Sequence, residues 1–386
     1  MFKTLNACLL CAFATLAGVA VAAAQDAKKP EPRSAGENRF NRGTVSLIAG
    51  DINSTTIRMS NDLGVVLNDG EDLRIIPVAG KGSLQNLLDV LYLDGIDIGL
   101  VQADVLEHAR SKEVHPNLDG AIRYIAKLHN EELHLLVRDD IESFADLEDK
   151  PVNVGPPGSG SFITASALFG AVKMPVRALY LDLDLALERL KSGKIAGLVY
   201  VAGKPARIFS QLSEADGVKL LPVPKVPELW QSYLPARFTE ADYPALVADG
   251  QKVETLAVGT VMVVYNWGVG SRRYRKVRRF VETFFDRIDE FHAPGRHAKW
   301  SEVNLGAEVA GWRRFSPADK WLKTHAVKVA QKNEAESPGD DAELELAFER
   351  FLRQNPISES EAAKGAASED VEVLFQQFLE WSAETR

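Results

Sequence analysis

The chain has 386 residues, 46% hydrophobic and 26% charged, with a formal charge of −9. This is the composition of a globular protein of about two ordinary domains. The acidic balance weighs against nucleic acid and anionic membrane surfaces as partners, though local backbone dipoles still allow a small anionic ligand.

Lys3 precedes an apolar run over 5–21, and Ala22-Ala23-Ala24 supplies small residues ahead of Gln25. That pattern predicts a secretory signal over 1–24, cleaved after Ala24. An uncleaved anchor is the alternative, and the apolar run is short for one. Cys8 and Cys11, the two cysteines of the chain, both fall inside this segment. The mature chain therefore has no disulfide, thiolate metal site or thiol nucleophile. Residues 25–43 read as a polar, flexible leader, and no later stretch is long and apolar enough to span a bilayer.

From Thr44 onward, strands alternate with helices. Thr44–Ala49 reads as a strand, Asp51–Thr56 leads into an amphipathic helix through Leu67, and Arg74–Ala79 is the next strand. Gly80–Ser83 turns into a helix carrying Leu84, Leu87, Leu88 and Leu91; Ile96–Val101 is a third strand, ending at a helix start over Gln102-Ala103-Asp104. Ile122–Leu128 and Leu133–Val137 are two further β-rich runs, and the polar segment Asp140–Lys150 reads as the crossover into a second lobe. That lobe continues with strands at Val152, Val176–Leu181, Ile195–Ala202 and Val218–Val223, and a helix over Leu185–Leu190. Thr255–Asn266 is strongly β-forming and returns the chain to the first lobe. Ser271–Phe291 is a long helix with Val277, Phe280, Val281, Phe284, Phe285 and Ile288 on its inner face. The alternation predicts an α/β fold with parallel sheet. Beyond a polar linker over 331–341, two amphipathic helices near 342–353 and 369–383 form a C-terminal tail that packs on the core or binds a partner.

The stretch Val152–Ala171 carries the strongest local signal. A short strand runs into Gly155-Pro156-Pro157-Gly158-Ser159-Gly160-Ser161, and a helix follows at once. A Gly/Ser loop at a helix start presents backbone N–H groups without intrahelical partners, where the helix dipole favours an anion. A tight turn with a serine N-cap is the plainer reading. Gly155 and Gly160 have Walker A spacing, but Ser161-Phe162 replaces Lys-Ser/Thr. The dinucleotide fingerprint is absent, and neither serine has the flanking glycines of a nucleophile elbow.

Other strand ends also feed helix starts rich in small polar residues. If two lobes face each other across these ends, Gly158, Ser159, Gly160 and Ser161 grip an anionic group from one side. Asn53, Ser54, Thr55 and Gln102 offer neutral donors and acceptors from the other. Asp104 is either a helix N-cap or the partner of a ligand ammonium, and Tyr200 an aromatic wall. Arg58 reaches a second carboxylate or lies on a solvated helix face. The seven histidines form no His-Glu-x-x-His motif, and no metal or other cofactor is expected.

Residues 142–161 (ESFADLEDKPVNVGPPGSGS) resemble the signature of the TAXI family, the solute-binding proteins of tripartite ATP-independent periplasmic (TRAP) transporters. Gly82–Leu87 with Asp97–Asp104, and Leu190–Ile195 leading to Val201–Pro205, agree in the same order, so the similarity spans about Thr44–Leu322. The resemblance implies a two-lobed periplasmic-binding (type II) fold with a hinge. The lobes are expected over 44–139 plus 256–325 and over 140–255, with a helical tail over 326–386. It further implies a periplasmic receptor, not an enzyme, that closes on a small organic acid or amino acid, such as a glutamate-like ligand, and presents it to TRAP permease subunits. The first loop departs from the family's Gly-rich turn with a Tyr, having Asp51-Ile52-Asn53-Ser54-Thr55-Thr56 instead. A ligand-sensing or scaffold protein of the same fold, recruiting a partner through its tail, is the alternative. A periplasmic hydrolase is disfavoured by the missing nucleophile and metal motifs.

Overall fold

The computed structural model describes residues 43–70, 72–230 and 232–325. The expected signal (1–24), the leader up to residue 42 and the tail over 326–386 with its two helices lie outside the described residues.

Strand β1 (Thr44–Ala49) is followed by α1 (Thr55–Leu67), β2 (Arg74–Ala79), α2 (Ser83–Tyr92), β3 (Ile98–Gln102), α3 (Ala103–Ser111) and the single turn α4 (Leu118–Ala121). β1 pairs parallel with both β2 and β3. Then comes β4 (Ile122–Arg138), a continuous strand of 17 residues. The second half contains β5 (Pro151–Asn153), α5 (Gly160–Ala171), β6 (Arg177–Leu179), α6 (Leu183–Lys191), β7 (Gly197–Ala202), β8 (Val218–Leu220) and β9 (Leu234–Thr239). The 14-residue β10 (Lys252–Tyr265) follows, then α7 (Arg272–Asp286) and α8 (Ser316–Thr324). The strand order is β2-β1-β3-β10-β4-β7-β5-β6, with β8 on β4 and β9 on β10.

Two lobes result, because β4 and β10 each pass from one apolar core to another. Ile125, Ala126 and Leu128 of β4, with Met262 and Val264 of β10, pack with Met59, Leu63, Phe280, Phe284 and Trp300. Farther along β4, Leu133, Leu135 and Val137 join Val152, Ala165, Leu168 and Val199, and β10 contributes Leu256 and Val258 there. The opposite sheet faces hold Leu87, Val105 and Val263 in the first lobe and Leu136, Leu190, Leu198 and Phe209 in the second. Helix α7 shows how pattern sets packing: Val277, Phe280, Val281, Phe284 and Phe285 are all buried, while its arginines face outward. Each such side chain contributes roughly 1.5–3 kcal/mol of burial.

Four expectations change. The two β-runs 122–128 and 133–137 are one strand, because the polar residues between them, His129, Glu131 and Glu132, are buried and the two glutamates pair with β10 rather than looping out. The change of core therefore occurs inside β4, near Asn130–Glu132, and not in segment 140–150, which is a short 3₁₀ turn closed by a Ser143/Asp146 capping box. β9 was absent from the sequence reading. The helix expected over 271–291 ends as an α-helix at Asp286 and continues as 3₁₀ over Ile288–His292.

Candidate functional site

The carboxyl ends of β1, β2 and β3 point toward those of β5 and β7, the place where parallel α/β sheets hold ligands. Between them lies a cavity of about 50 Å³. Gly50 and Asp51 follow β1, Ser54 and Thr56 open α1, Lys81–Ser83 follow β2, and Gln102 ends β3. Ser159–Ser161 open α5, Tyr200 and Val201 come from β7, and Glu131 and Thr260 from the two long strands.

Glycine brings the lobes together. Gly82 (φ 145°) adopts a backbone that L side chains rarely take, and a Cβ there would meet the Ser159 Cα at 2.5 Å. The next residues form a direct bond between lobes: the Leu84 amide donates to the Gly158 carbonyl at 3.1 Å. Gly160 faces the Gln102 side chain so closely that a Cβ on it would overlap the carboxamide. Elsewhere the Thr55 hydroxyl donates to the Gly203 carbonyl (3.1 Å), Asn53 Nδ2 to Asp184 (3.4 Å), and the Lys204 amide to Glu132 (2.7 Å).

The serines at the α5 mouth have structural duties. Ser159 Oγ accepts from the Phe162 amide at 3.1 Å as N-cap, and Ser161 Oγ accepts from the Val201 amide at 2.9 Å. Each hydroxyl keeps its own proton to donate. Gly160 and Ser161 occupy the first turn, where backbone amides have no intrahelical acceptor.

Opposite them the wall is acidic. Gln102 Nε2 donates to Glu131 Oε2 at 2.6 Å. Burial pushes the Glu131 carboxyl up to about 7, against the opposing pull of that bond and of the Lys299 charge. Asp51 is also raised, chiefly by burial, with Glu131 and Asp184 adding to the shift. Lys299 is buried, yet two carboxylates at 2.6 Å, Glu132 and Glu302, overcome desolvation and hold its ammonium charged.

Of the ten residues named from sequence, Ser54, Gln102, Ser159, Gly160, Ser161 and Tyr200 line this cavity. Asn53 and Thr55 do not line it and bond to the other lobe instead. Gly158 contributes its carbonyl to the lobe contact. Asp104 differs from the expectation: it does not line this cavity, and its carboxylate bonds instead to Thr164 of α5 and to Tyr233. Its Oδ2 accepts from Thr164 Oγ1 (2.6 Å) and Tyr233 OH (2.9 Å), and burial pushes it up to about 6. It borders a separate cavity of about 530 Å³ between α3 and α5. It is not the N-cap of α3, a position held by Gln102. Arg58 is exposed on α1. The sequence reading missed Asp51 and Glu131 as chemistry; the polar run His129–Glu132 inside a β-forming stretch was the available signal.

Among the described residues no cluster of His, Cys, Asp or Glu is arranged to hold a metal ion, and no helix is long and apolar enough to cross a membrane.

Many solved structures are similar in fold at low identity. The periplasmic binding protein BugD is 14% identical, with 75% of this chain and 96% of that chain covered and a TM-score of 0.43. The alkanesulfonate-binding protein SsuA from Xanthomonas axonopodis pv. citri, bound to MOPS, is 14% identical over 78% and 82% of the two chains, with a TM-score of 0.40. The substrate-binding protein of an amino acid ABC transporter is 12% identical over 73% and 100%, also at 0.40. The sequence pattern of the NMT1-like family matches residues 58–310, well over half of the chain. The chain belongs to the NMT1-like family.

Proposed function

We propose that this protein is a periplasmic solute-binding receptor that closes its lobes on a small organic anion, an amino acid or a dicarboxylate, and hands it unaltered to a TRAP-type permease in the manner of the TAXI proteins. The observation that carries the reading is the cavity at the strand ends, whose lining comes from both lobes and includes the mouth of α5. The amides of Gly160 and Ser161, the hydroxyl protons of Ser159 and Ser161, and the Lys81 ammonium hold a carboxylate there. Ligand stabilises the closed arrangement by contacting both lobes at once. The resemblance over 142–161 supports the TRAP assignment, and the signal-like sequence 1–24 supports export.

A thermal-shift panel of amino acids and organic acids, followed by calorimetry on those that raise the melting temperature, tests the binding step. A native-state ligand is expected to raise it by several degrees. A panel in which no acid does so overturns the receptor reading. Uptake of the identified ligand into vesicles carrying a TRAP permease, dependent on added receptor, tests delivery.

A further inference from the structure

We propose that the inner wall of the cleft receives a protonated primary amine, so that the ligand is a zwitterion with its carboxylate at the α5 mouth and its ammonium between Asp51 and Glu131. The inference rests on reading the cleft as a solute site and names the chemistry which that site selects.

The wall is rich in acceptors. Asp51 and Glu131 line the cavity with carboxylates. Gln102 Oε1 and Asn86 Oδ1, both lining atoms' residues, have no hydrogen-bond partner, and neither do Tyr200 OH and Thr260 Oγ1. These four residues are 3%, 1%, 6% and 1% exposed, so each places its polar atom in a sparsely solvated wall. An orphaned polar group of this kind is costly, and the structure carries several around one small space. Gln102 cannot reverse its carboxamide without giving up the 2.6 Å bond from Nε2 to Glu131. As placed, its Oε1 is an acceptor left over beside Gly160.

The charges agree. Lys81, the cation lining the cavity, is exposed at its edge. Lys299 acts on Glu131 but is matched by Glu132 and Glu302 at 2.6 Å each. His129 Nε2 is 3.6 Å from Glu131 Oε1, and burial holds that imidazole down to about 3, in its neutral form. Asp184, bonded to Asn53 at the rim, adds to the field at Asp51. An ammonium supplies three donors and one positive charge within a small volume. By favouring the ionised form of Glu131, which burial pushes up to about 7, it would release a proton on binding near pH 7.

Calorimetry on the full mature chain at pH 7 with matched pairs tests this: L-glutamate against glutarate, and L-alanine against propionate. The amine-bearing member of a pair is expected to bind at least tenfold tighter, with proton release visible as a dependence on buffer ionisation heat. Glu131→Gln should collapse that ratio. Asp51→Asn, on a loop and independent of the β4 ladder, should shrink it and serves if the first variant does not fold. Glutarate or propionate binding as tightly as its amine-bearing partner overturns the inference while leaving the receptor reading intact. An unchanged ratio in both variants also overturns it. If no acid in the wider panel binds, the receptor reading fails and this inference falls with it.

Discussion

The carboxamide of Gln102, at the end of β3, occupies the space that a side chain on Gly160 would need at the start of α5. The two residues belong to different lobes, so this close approach exists only while the lobes are together. Gly160 has no unusual φ, and alanine there would otherwise favour the helix by up to about 1 kcal/mol. We expect Gly160→Ala to keep or slightly raise the melting temperature without ligand, and to weaken ligand binding at least tenfold by calorimetry. Small-angle scattering should show less compaction with ligand than in the parent protein.

Ser161 distinguishes a residue that serves only the ligand from one that serves the fold as well. Its Oγ accepts from the buried Val201 amide. Ser161→Ala leaves that N–H unpaired, at about 1–3 kcal/mol. Urea unfolding of the ligand-free variant should show this loss, and calorimetry should show weaker binding in addition. Ser159→Ala removes an N-cap instead and should cost about 1 kcal/mol.

Asp104 predicts a pH dependence of stability. Its carboxyl rises from 3.8 to about 6 on folding, because burial outweighs the bonds from Thr164 and Tyr233. The folded state thus binds the proton more tightly than the unfolded state. This contribution is complete below about pH 4 and is lost as pH rises to about 6, on the order of 3 kcal/mol across that window. Asp104→Asn keeps an acceptor for Thr164 and Tyr233 without the charge. The difference in urea midpoint between parent and variant should therefore shift in favour of the variant between pH 4 and pH 7.

The buried ion pair of Lys299 and Glu132 lies where β4 changes core. Lys299→Met strands the Glu132 carboxylate, and should destabilise the protein by about 3–5 kcal/mol in denaturant unfolding at pH 7. Adding Glu132→Gln should restore much of the loss, since the charge left without its partner is then gone. Equal instability of the single and double variants would count against this account.

Much of the fold was legible because its grammar is local. Thr44–Ala49, Arg74–Ala79 and the helix ending at Leu67 were read with the observed bounds, and the serine caps at 54 and 159 mark the helix starts. β4 was split because the run His129–Glu132 breaks the apolar pattern; Glu131 and Glu132 find their partners far away in sequence, in Gln102 and Lys299. β9 was hidden by Pro235, which an edge strand tolerates. The bonds of Asp104 are hidden from the sequence for a similar reason. Its partner Tyr233 is 129 residues away, and no local pattern announces which side of a helix start faces the cleft.

The ladder between β4 and β10 slips twice, between Gly259 and Val261 and between Met262 and Val263, each time with an extra residue on β4. The first slip lies beside Thr260, in the floor of the cavity. A ribbon already interrupted there can twist without breaking further rungs. For the receptor proposed above, a pivot at this slip would lie directly beneath the captured molecule. Amide deuterium uptake near 128–130 and 259–261 should be faster than in the flanking rungs, and should slow when that molecule is present.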